Sequence, residues 1–152
     1  MDIIIEVLGK NDLAAMQELI AVFENVFEME NFKRPEDSHL QALLGKETFY
    51  AITARIDNKL IGGLTVYVLD QYYSTKPLAY IYDLAVLSAY QRKGIGKKLI
   101  AFTRNYFTQK GFAEVFVQAD KVDAYALDFY RATHPTNEEE VVHFYYTLDG
   151  GQ

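Results

Sequence analysis

Short runs of apolar, β-branched and aromatic residues, separated by polar turn sequences, predict six strands along the chain. Between the second and third strands, Asp57-Asn58-Lys59 is typical of a tight hairpin turn. The predicted strands are Ile3–Leu8, Thr48–Ile56, Leu60–Leu69, Leu78–Val86, Val115–Ala119 and Val141–Leu148.

Four other stretches carry their apolar residues at the three- and four-residue spacing of amphipathic helices. They run from Asn11 or Asp12 to about Phe27, from about Pro35 to Gly45, from Gly94 to Lys110 and from Ala124 to Arg131. The resulting order is βααβββαβαβ, with no repeat or linker-like segment. It predicts one α/β (α+β) domain over residues 1–152, in which a mixed, mostly antiparallel sheet carries helices on both faces.

Composition narrows the possible functions. The sequence has no cysteine, which excludes disulfides, thiolate metal sites and a cysteine nucleophile, and its histidines lack metal-ligand spacing, so we expect no metal. A formal charge of −6 disfavours a nucleic-acid partner and suits a cationic ligand, although a generally acidic surface explains it equally well. The apolar N-terminal run is too short to span a membrane and follows no basic segment, so we expect a cytoplasmic protein without a membrane partner.

The most informative segment is a predicted strand, a glycine-containing turn and a predicted helix in direct succession. Tyr80-Ile-Tyr-Asp-Leu-Ala-Val86 is followed by Gln91-Arg-Lys-Gly-Ile-Gly96 and the helix. A helix N-terminus has free N–H groups and partial positive charge, and therefore suits a pyrophosphate. Gly94 and Gly96 let the backbone approach phosphates closely. Nearby basic residues add positive charge: Arg92, Lys93, Lys97 and Lys98.

Two other phosphate-binding motifs do not fit this turn. A Walker loop requires glycine where this chain has Gln91 and serine or threonine where it has Lys98, and the dinucleotide fingerprint requires a glycine at Leu99. The remaining pattern, Gln-x-x-Gly-x-Gly, resembles the coenzyme A pyrophosphate loop of the GCN5-related N-acetyltransferase (GNAT) superfamily. The alternative interpretation is a helix start with two useful glycines and no anion.

The resemblance covers nearly the whole chain and implies a GNAT fold that binds acetyl-CoA as co-substrate. It implies that the strand edge at Leu84, Ala85 and Val86 pairs with the pantetheine arm, and that the Val86 N–H polarises the thioester carbonyl. Tyr130 matches the tyrosine that protonates the departing thiolate, although most of the 12 tyrosines must be packing residues. The implied pyrophosphate loop comprises Gln91, Arg92, Lys93, Gly94, Ile95, Gly96 and Lys97.

Longer stretches resemble one branch of the superfamily, the type I aminoglycoside 3-N-acetyltransferases. They are Tyr80–Val86, Val117-Gln-Ala-Asp120 and Glu139-Glu-Val-Val-His-Phe144. This resemblance implies acetylation of an aminoglycoside, expected at its 3-amino group, and hence antibiotic resistance. The chain departs from the branch at Thr133-His-Pro-Thr-Asn137, which replaces a short turn with glycine and leaves the geometry beside Tyr130 open.

Aminoglycosides are polycationic, so their site should be acidic. Asp83, on the strand with the proposed acetyl-binding edge, could orient a substrate amine and accept its proton, since simple amines are mostly charged at neutral pH. Alternatively, it is paired structurally within the sheet. Asp120 and Asp123 could bind further ammonium groups or cap the following helix, and Glu139 and Glu140 could line the pocket or form a solvated charge run.

Two other functions stay compatible with the sequence. One is an acetyltransferase for polyamines or for protein or peptide amines, and the other is a non-catalytic acyl-CoA-binding module. The presence of both Asp83 and Tyr130 favours an enzyme. Exposed sheet edges, together with the behaviour of the superfamily, predict a homodimer.

Overall fold

The computed structural model describes residues 2–148, which form two compact units, one up to Gln118 and the other from Ala119 onward. Among the described residues, no helix is long and apolar enough to span a bilayer. The elements of the first unit are β1 Ile4–Val7, α1 Leu13–Val26, α2 Asp37–Leu44, β2 Phe49–Ile56, β3 Lys59–Leu69, β4 Leu78–Val86, α3 Ile95–Gln109 and β5 Glu114–Val117, and the second unit contains α4 Ala124–Ala132.

The sheet has the order β1-β2-β3-β4-β5. The first four strands are antiparallel neighbours, and α3 connects β4 to the parallel strand β5. At the β2–β3 hairpin, Asp57 and Asn58 both adopt left-handed backbone angles, with φ of 49° and 67°, as a two-residue turn of this twist requires. The predicted hairpin and the mixed, mostly antiparallel sheet are confirmed.

Helices cover both faces of the sheet, as predicted. On one face, Phe49 and Ala51 of β2 lie in a buried apolar cluster with residues of α1 and α2. The intervening Tyr50 faces the other side, where its ring lies 5.9 Å from that of Tyr106 and 5.1 Å from that of Phe107 on α3. This alternation along one strand follows from the two-residue repeat of side chains in a sheet.

Gly63 allows α1 to lie directly against β3. A Cβ atom at this position would be 2.5 Å from the carbonyl oxygen of Ile52 and 2.6 Å from Cδ1 of Leu19 on α1. A side chain here would have to displace the Leu19 side chain and the backbone of β2. The close approach places α1 over β3 and β4, so that its C-terminal end lies beside the part of β4 that carries the candidate site.

The prediction of a last strand at Val141–Leu148 is wrong for this chain alone, because no strand pairs with these residues within the described range 2–148. The sequence has the β propensity of a strand, but a strand also requires a hydrogen-bonded partner. The large apolar side chains of the segment are instead exposed: Val141 64%, Val142 76%, Phe144 78%, Tyr145 76%, Tyr146 86% and Leu148 74%.

Candidate active site

β5 pairs with only the first half of β4. β4 and β5 are paired only from Leu78↔Glu114 to Ile81↔Val117, whereas β3 remains paired with β4 as far as Val86. β5 also ends at Val117, two residues earlier than predicted. Within residues 2–148, this edge of β4 therefore has no strand partner at the predicted pantetheine-binding residues Leu84, Ala85 and Val86.

The backbone groups of Val86 point to this unpaired edge of β4. The Leu87 N–H donates to the carbonyl oxygen of Ile61, at 2.8 Å, and so faces β3. Because alternate residues of an antiparallel strand direct both backbone groups to the same side, Val86 directs its N–H and carbonyl to the opposite edge. Its carbonyl accepts a hydrogen bond from Nε2 of Gln91, at 2.8 Å. The N–H therefore points to the side on which a thioester carbonyl is expected.

The turn after β4 begins α3 with a strained backbone. Gly94 caps the helix with φ 81°, and its carbonyl oxygen accepts from the Lys98 N–H at 3.1 Å. Arg92 also adopts a left-handed conformation, with φ 62°, which costs free energy for a residue with a Cβ atom. The Ile95 side chain is only 1% exposed, so it anchors the first turn of the helix in the core.

Positive charge collects around the same turn. The ammonium groups of Lys59 and Lys93 lie 5.8 Å and 5.7 Å from the ring centre of Tyr90. The side chains of Arg92, Lys97 and Lys98 are exposed beside them. Free helix N–H groups and surrounding cations together suit a bound pyrophosphate.

A β-bulge in β4 determines the direction of the Asp83 side chain. The register steps from Leu64↔Leu84 to Val66↔Ile81, so that β4 has one residue more than β3 between these pairs. Such a bulge bends the strand and redirects its side chains. At the bulge, the Asp83 N–H donates to Oγ1 of Thr65, at 3.3 Å, and the Asp83 side chain lines a cleft of about 380 Å³.

The cleft around Asp83 is mostly aromatic. Its other lining residues come from α1 and the segment after it: Ile20, Phe23, Phe27, Met29 and Phe32. Phe27 is 44% exposed, Met29 39% and Phe32 41%, which leaves these apolar side chains facing an open space. A more open depression of about 410 Å³ lies between Lys10 and Gln41, away from β4.

Two features hold the segment after α1 in position. Arg34 donates from Nε and Nη2 to the two carboxylate oxygens of Glu24, at 3.0 Å and 2.8 Å. This paired geometry lowers the pKa of Glu24 and raises that of Arg34. Glu28 and Asn31 have left-handed backbones, with φ of 50° and 57°, which turn the chain between the aromatic residues of the cleft.

Burial in this apolar cleft raises the pKa of the Asp83 carboxyl above its usual range. The cause is loss of hydration, which penalises the charged form. A carboxylate of higher pKa is a stronger base, and an approaching ammonium group would be a favourable partner for it. The arrangement therefore suits capture of a cationic amine and removal of its proton.

In the second unit, Tyr130 lies on the short helix α4. Asp123 caps this helix, because its Oδ1 accepts from the Ala126 N–H at 3.0 Å. Asp120 accepts from the Val122 N–H at 3.2 Å and stabilises the preceding turn. Of the two interpretations left open for Asp120 and Asp123, the structure thus gives direct evidence for the local structural one.

The turn after Tyr130 forms without glycine. The Thr133 hydroxyl donates to the Tyr130 carbonyl oxygen at 2.6 Å, and His134 adopts the left-handed conformation, with φ 59°, that glycine commonly supplies at a helix end. Further along, Glu140 forms an ion pair with Lys121. Glu139 is exposed, so neither glutamate is buried in a preformed pocket.

Comparison with known proteins identifies the family. Residues 13–134 match the model of the acetyltransferase (GNAT) family. The chain belongs to the GNAT family. An aminoglycoside acetyltransferase, meta-AAC0020, from an uncultured soil metagenomic sample has a structure with TM-score 0.95 and 63% identity over 97% of both chains, in complex with trehalose. Another structure of that protein, in complex with sisomicin, has the same TM-score and 62% identity over the same share of both chains.

A more distant relative has the same fold. It is the aminoglycoside acetyltransferase HMB0005 from an uncultured soil metagenomic sample, 32% identical over 98% of this chain and 100% of its own, with TM-score 0.91. No curated protein matches this chain. Enzymes of the GNAT family use acetyl-CoA, and this chain belongs to that family.

Sequence reasoning missed the aromatic wall of this GNAT site. The helical spacing of Phe23 and Phe27 predicted only a core-facing stripe, although both residues also line the cleft. Met29 and Phe32 were assigned no role. Their position in the polar segment Glu28-Met-Glu-Asn-Phe-Lys33 was only a weak signal, since contiguous apolar surface marks binding sites but single exposed apolar residues are common.

Proposed function

We propose that this GNAT enzyme acetylates an amino group of aminoglycosides, expected to be the 3-amino group. The observation that carries the proposal is Asp83, a partly buried carboxylate of raised pKa on the same strand as Val86, three residues before it. The related meta-AAC0020 is an aminoglycoside acetyltransferase with structures in complex with sisomicin and trehalose, which supports an acceptor made of sugar rings.

Asp83 acts as the base in this proposal. A substrate ammonium enters the apolar cleft, where its attraction to the carboxylate is stronger than in water. Asp83 orients the nitrogen and takes one proton, directly or through water, so that the neutral amine can attack. The proton leaves to solvent after the reaction.

Two further groups serve the transfer step. The amine nitrogen forms a bond to the acetyl carbonyl carbon, and the carbon–sulfur bond to coenzyme A breaks. The Val86 N–H donates to the carbonyl oxygen while negative charge develops there. Tyr130 gives a proton to the departing thiolate and regains one from solvent, while the acetylated nitrogen releases its excess proton to solvent. The backbone from Gln91 to Lys97 holds the pyrophosphate.

Other carboxylates would bind the remaining ammonium groups. Asp123 and Asp120 each use one oxygen for a local backbone bond, and a carboxylate has further acceptor positions. Glu139 and Glu140 are exposed and would contribute through charge. The net charge of −6 favours approach of a polycation.

We also propose that the chain acts as one domain in a cytoplasmic homodimer and confers antibiotic resistance. The family match runs from residue 13 to residue 134 and so includes parts of both units, which supports one functional domain.

The exposed apolar segment Val141–Leu148 supports association, since apolar surface of this extent usually meets a partner. Deleting residues 141–152 should convert a dimer to a monomer in light scattering. An unchanged mass would contradict this role of the segment.

The experiment is an acetyl-transfer assay against sisomicin, spermidine and a short peptide, with NMR of the product to locate the acetylated nitrogen. We expect sisomicin to be the best substrate and expression of the enzyme to protect cells against it. If only spermidine or the peptide reacts, the substrate proposal is wrong. If acetyl-CoA binds but no amine reacts, the chain is a non-catalytic binding module.

Variants test the proposed roles of Asp83 and Tyr130. Asp83→Asn and Tyr130→Phe should each lower kcat/KM for sisomicin by about a hundred- to ten-thousand-fold, the usual contribution of a general base or acid. Acetyl-CoA affinity should stay within about twofold. Asp70→Asn, at an exposed carboxylate just after β3, is the matched control and should retain full activity. Full activity of either test variant would remove that residue from the mechanism.

A further inference from the structure

A row of aromatic residues crosses the sheet beside the proposed acceptor site. The strand registers place Phe49 opposite Tyr67, Tyr67 opposite Tyr80, and Tyr80 opposite Phe116. The rings of Phe49 and Tyr67 meet edge to face at 5.3 Å, and those of Tyr80 and Phe116 stack at 4.7 Å. Tyr82 contacts Tyr67 and Tyr80 edge to face, at 5.6 Å and 5.8 Å. We call these five residues the aromatic row.

Sheet stability does not explain the whole row. Cross-strand aromatic pairs stabilise a sheet, and this accounts for Phe49, which is 5% exposed in the core beneath α1 and α2. Towards β4, however, the rings become accessible, with Tyr67 38% and Tyr82 58% exposed. Contiguous exposed aromatic surface of this kind marks binding sites.

The row is also fixed in position before any ligand arrives. The Tyr80 hydroxyl donates to Oε1 of Gln118 at 3.1 Å, and the stacked Phe116 holds the same ring from the side. Tyr82 is in turn held between two rings. A rigid aromatic surface loses little entropy when a ligand covers it.

The row and Asp83 are close enough to serve one ligand. Tyr80 and Asp83 are three residues apart on β4, which corresponds to about 10 Å along a strand. The pKa values of Tyr67 and Tyr80 are raised by burial, by Tyr82 and by the negative charge of Asp83, so the hydroxyls lie within electrostatic reach of the carboxylate. An amine of one ring, such as 2-deoxystreptamine, does not span this distance, whereas a substrate of linked rings does.

We propose that the aromatic row binds a second, non-reacting amino-sugar ring of the acceptor, with its C–H edge and its ammonium group on the faces of Tyr67 and Tyr82. This inference rests on the proposed aminoglycoside acetylation. A ring that carries a cation suits this surface, because tyrosine faces attract cations and bury apolar edges at the same time. The row would then select acceptors by ring number, while Asp83 selects for the amine.

The test compares three acceptors with Tyr82→Leu, which retains an apolar side chain but removes the aromatic face. The probes are sisomicin, which has several rings, 2-deoxystreptamine, which has one, and spermine, which has none. We expect Kd and KM for sisomicin to rise about 3- to 30-fold, the range of a partly desolvated cation–π contact. Values for the other two amines and for acetyl-CoA should change less than about twofold.

Two controls accompany this variant. Tyr82→Phe keeps the face and loses only the hydroxyl, so it should bind sisomicin like the wild type. Tyr72→Leu removes a tyrosine that is 98% exposed elsewhere and should have no effect. NMR of the wild-type tyrosine ring protons during a sisomicin titration gives an independent reading, in which Tyr67 and Tyr82 should shift more than Tyr72.

Several outcomes would overturn the inference. Equal losses for all three amines would make the row a structural support of Asp83, and a loss of dimer or of thermal stability in Tyr82→Leu would make it a packing surface. Unchanged sisomicin binding, together with unshifted Tyr67 and Tyr82 signals, would also exclude it. Failure of the proposed function would differ visibly, because the wild type itself would then acetylate no aminoglycoside.

Discussion

The two sides of the site are built from different parts of the polypeptide. On the proposed coenzyme side, the groups are backbone N–H groups of Val86 and of the turn at Gly94, with exposed cations around them. On the acceptor side, the important groups are side chains: Asp83 on β4, with Phe27 and Phe32 from α1 and the segment after it. One contiguous stretch of sequence forms the first side, and segments some fifty residues apart form the second.

This difference determines which chemical features of its ligand each side can recognise. Backbone groups in a fixed turn recognise phosphate and thioester, which every reaction of the family presents. Side chains set the depth, polarity and charge of the acceptor cleft, and they can change without disturbing the sheet. The coenzyme side should therefore respond to changes of backbone or local charge, and the acceptor side to truncation of side chains.

The largest effect on ligand binding is expected on the coenzyme side. Gly96→Asp introduces a negative charge in the first turn of α3, where the pyrophosphate is expected. Like charges brought together in a binding site cost several kcal/mol. Acetyl-CoA affinity should fall at least about 100-fold by calorimetry. Gly96→Ala adds a methyl group without charge and should keep most of the affinity. If both variants bind normally, this turn does not hold the coenzyme.

A smaller and opposite pattern is expected on the acceptor side. Phe27→Ala removes a ring that is 44% exposed at the cleft mouth, so KM for sisomicin should rise about 3- to 30-fold, while acetyl-CoA affinity stays constant. Truncation also lets water reach Asp83, so its pKa should fall and the acidic limb of the kcat profile should move to lower pH. Tyr73→Ala, at an exposed aromatic residue outside the cleft, should change neither KM for sisomicin nor the pH profile of kcat. An unmoved pH profile would show that this wall does not dehydrate Asp83.

The same contrast decides how much of the molecule was predictable from the sequence. The strand at Leu78–Val86 and the start of a helix at Gly94 were predicted because periodicity and glycine placement are local signals. The wall at Phe27 and Phe32 was not, because its role depends on how closely α1 approaches the sheet over Gly63. The strand at 141–148 was predicted wrongly, because propensity carries no information about a partner.

The bulge in β4 could not be predicted from the local sequence either. Nothing in Tyr82-Asp83 marks an extra residue, since a bulge is a relation between two strands and not a property of one. The resemblance to a known family supplied Asp83 as a candidate, while only the paired register explains how its side chain reaches the cleft. The residues proposed to set specificity are thus the ones for which the sequence is least informative.

The smallest expected effect is on the free energy of unfolding. It tests whether the buried charge of Asp83 destabilises the folded protein. The pKa of Asp83 is raised in the folded protein by burial, whereas in the unfolded chain it should be near the ordinary value of about 3.9. Between these two pKa values the folded state binds more protons, so stability falls as pH rises through this window, and the full penalty applies above the folded pKa. Asp83→Asn has no such charge, so it should be more stable than the wild type at pH 7.5.

That advantage should shrink as pH is lowered and vanish below about pH 3.9, where Asp83 is protonated in both states. Urea unfolding followed by circular dichroism at pH 7.5, 5.5 and 3.5 measures it, with Asp70→Asn as the exposed control that should show no such trend. A variant less stable than the wild type at pH 7.5 would mean that the carboxylate stabilises the bulge, and its place in the cleft would then be structural. A gain that depends on pH as described, combined with loss of acetylation, would mean that the enzyme keeps a destabilising charge because the reaction requires it.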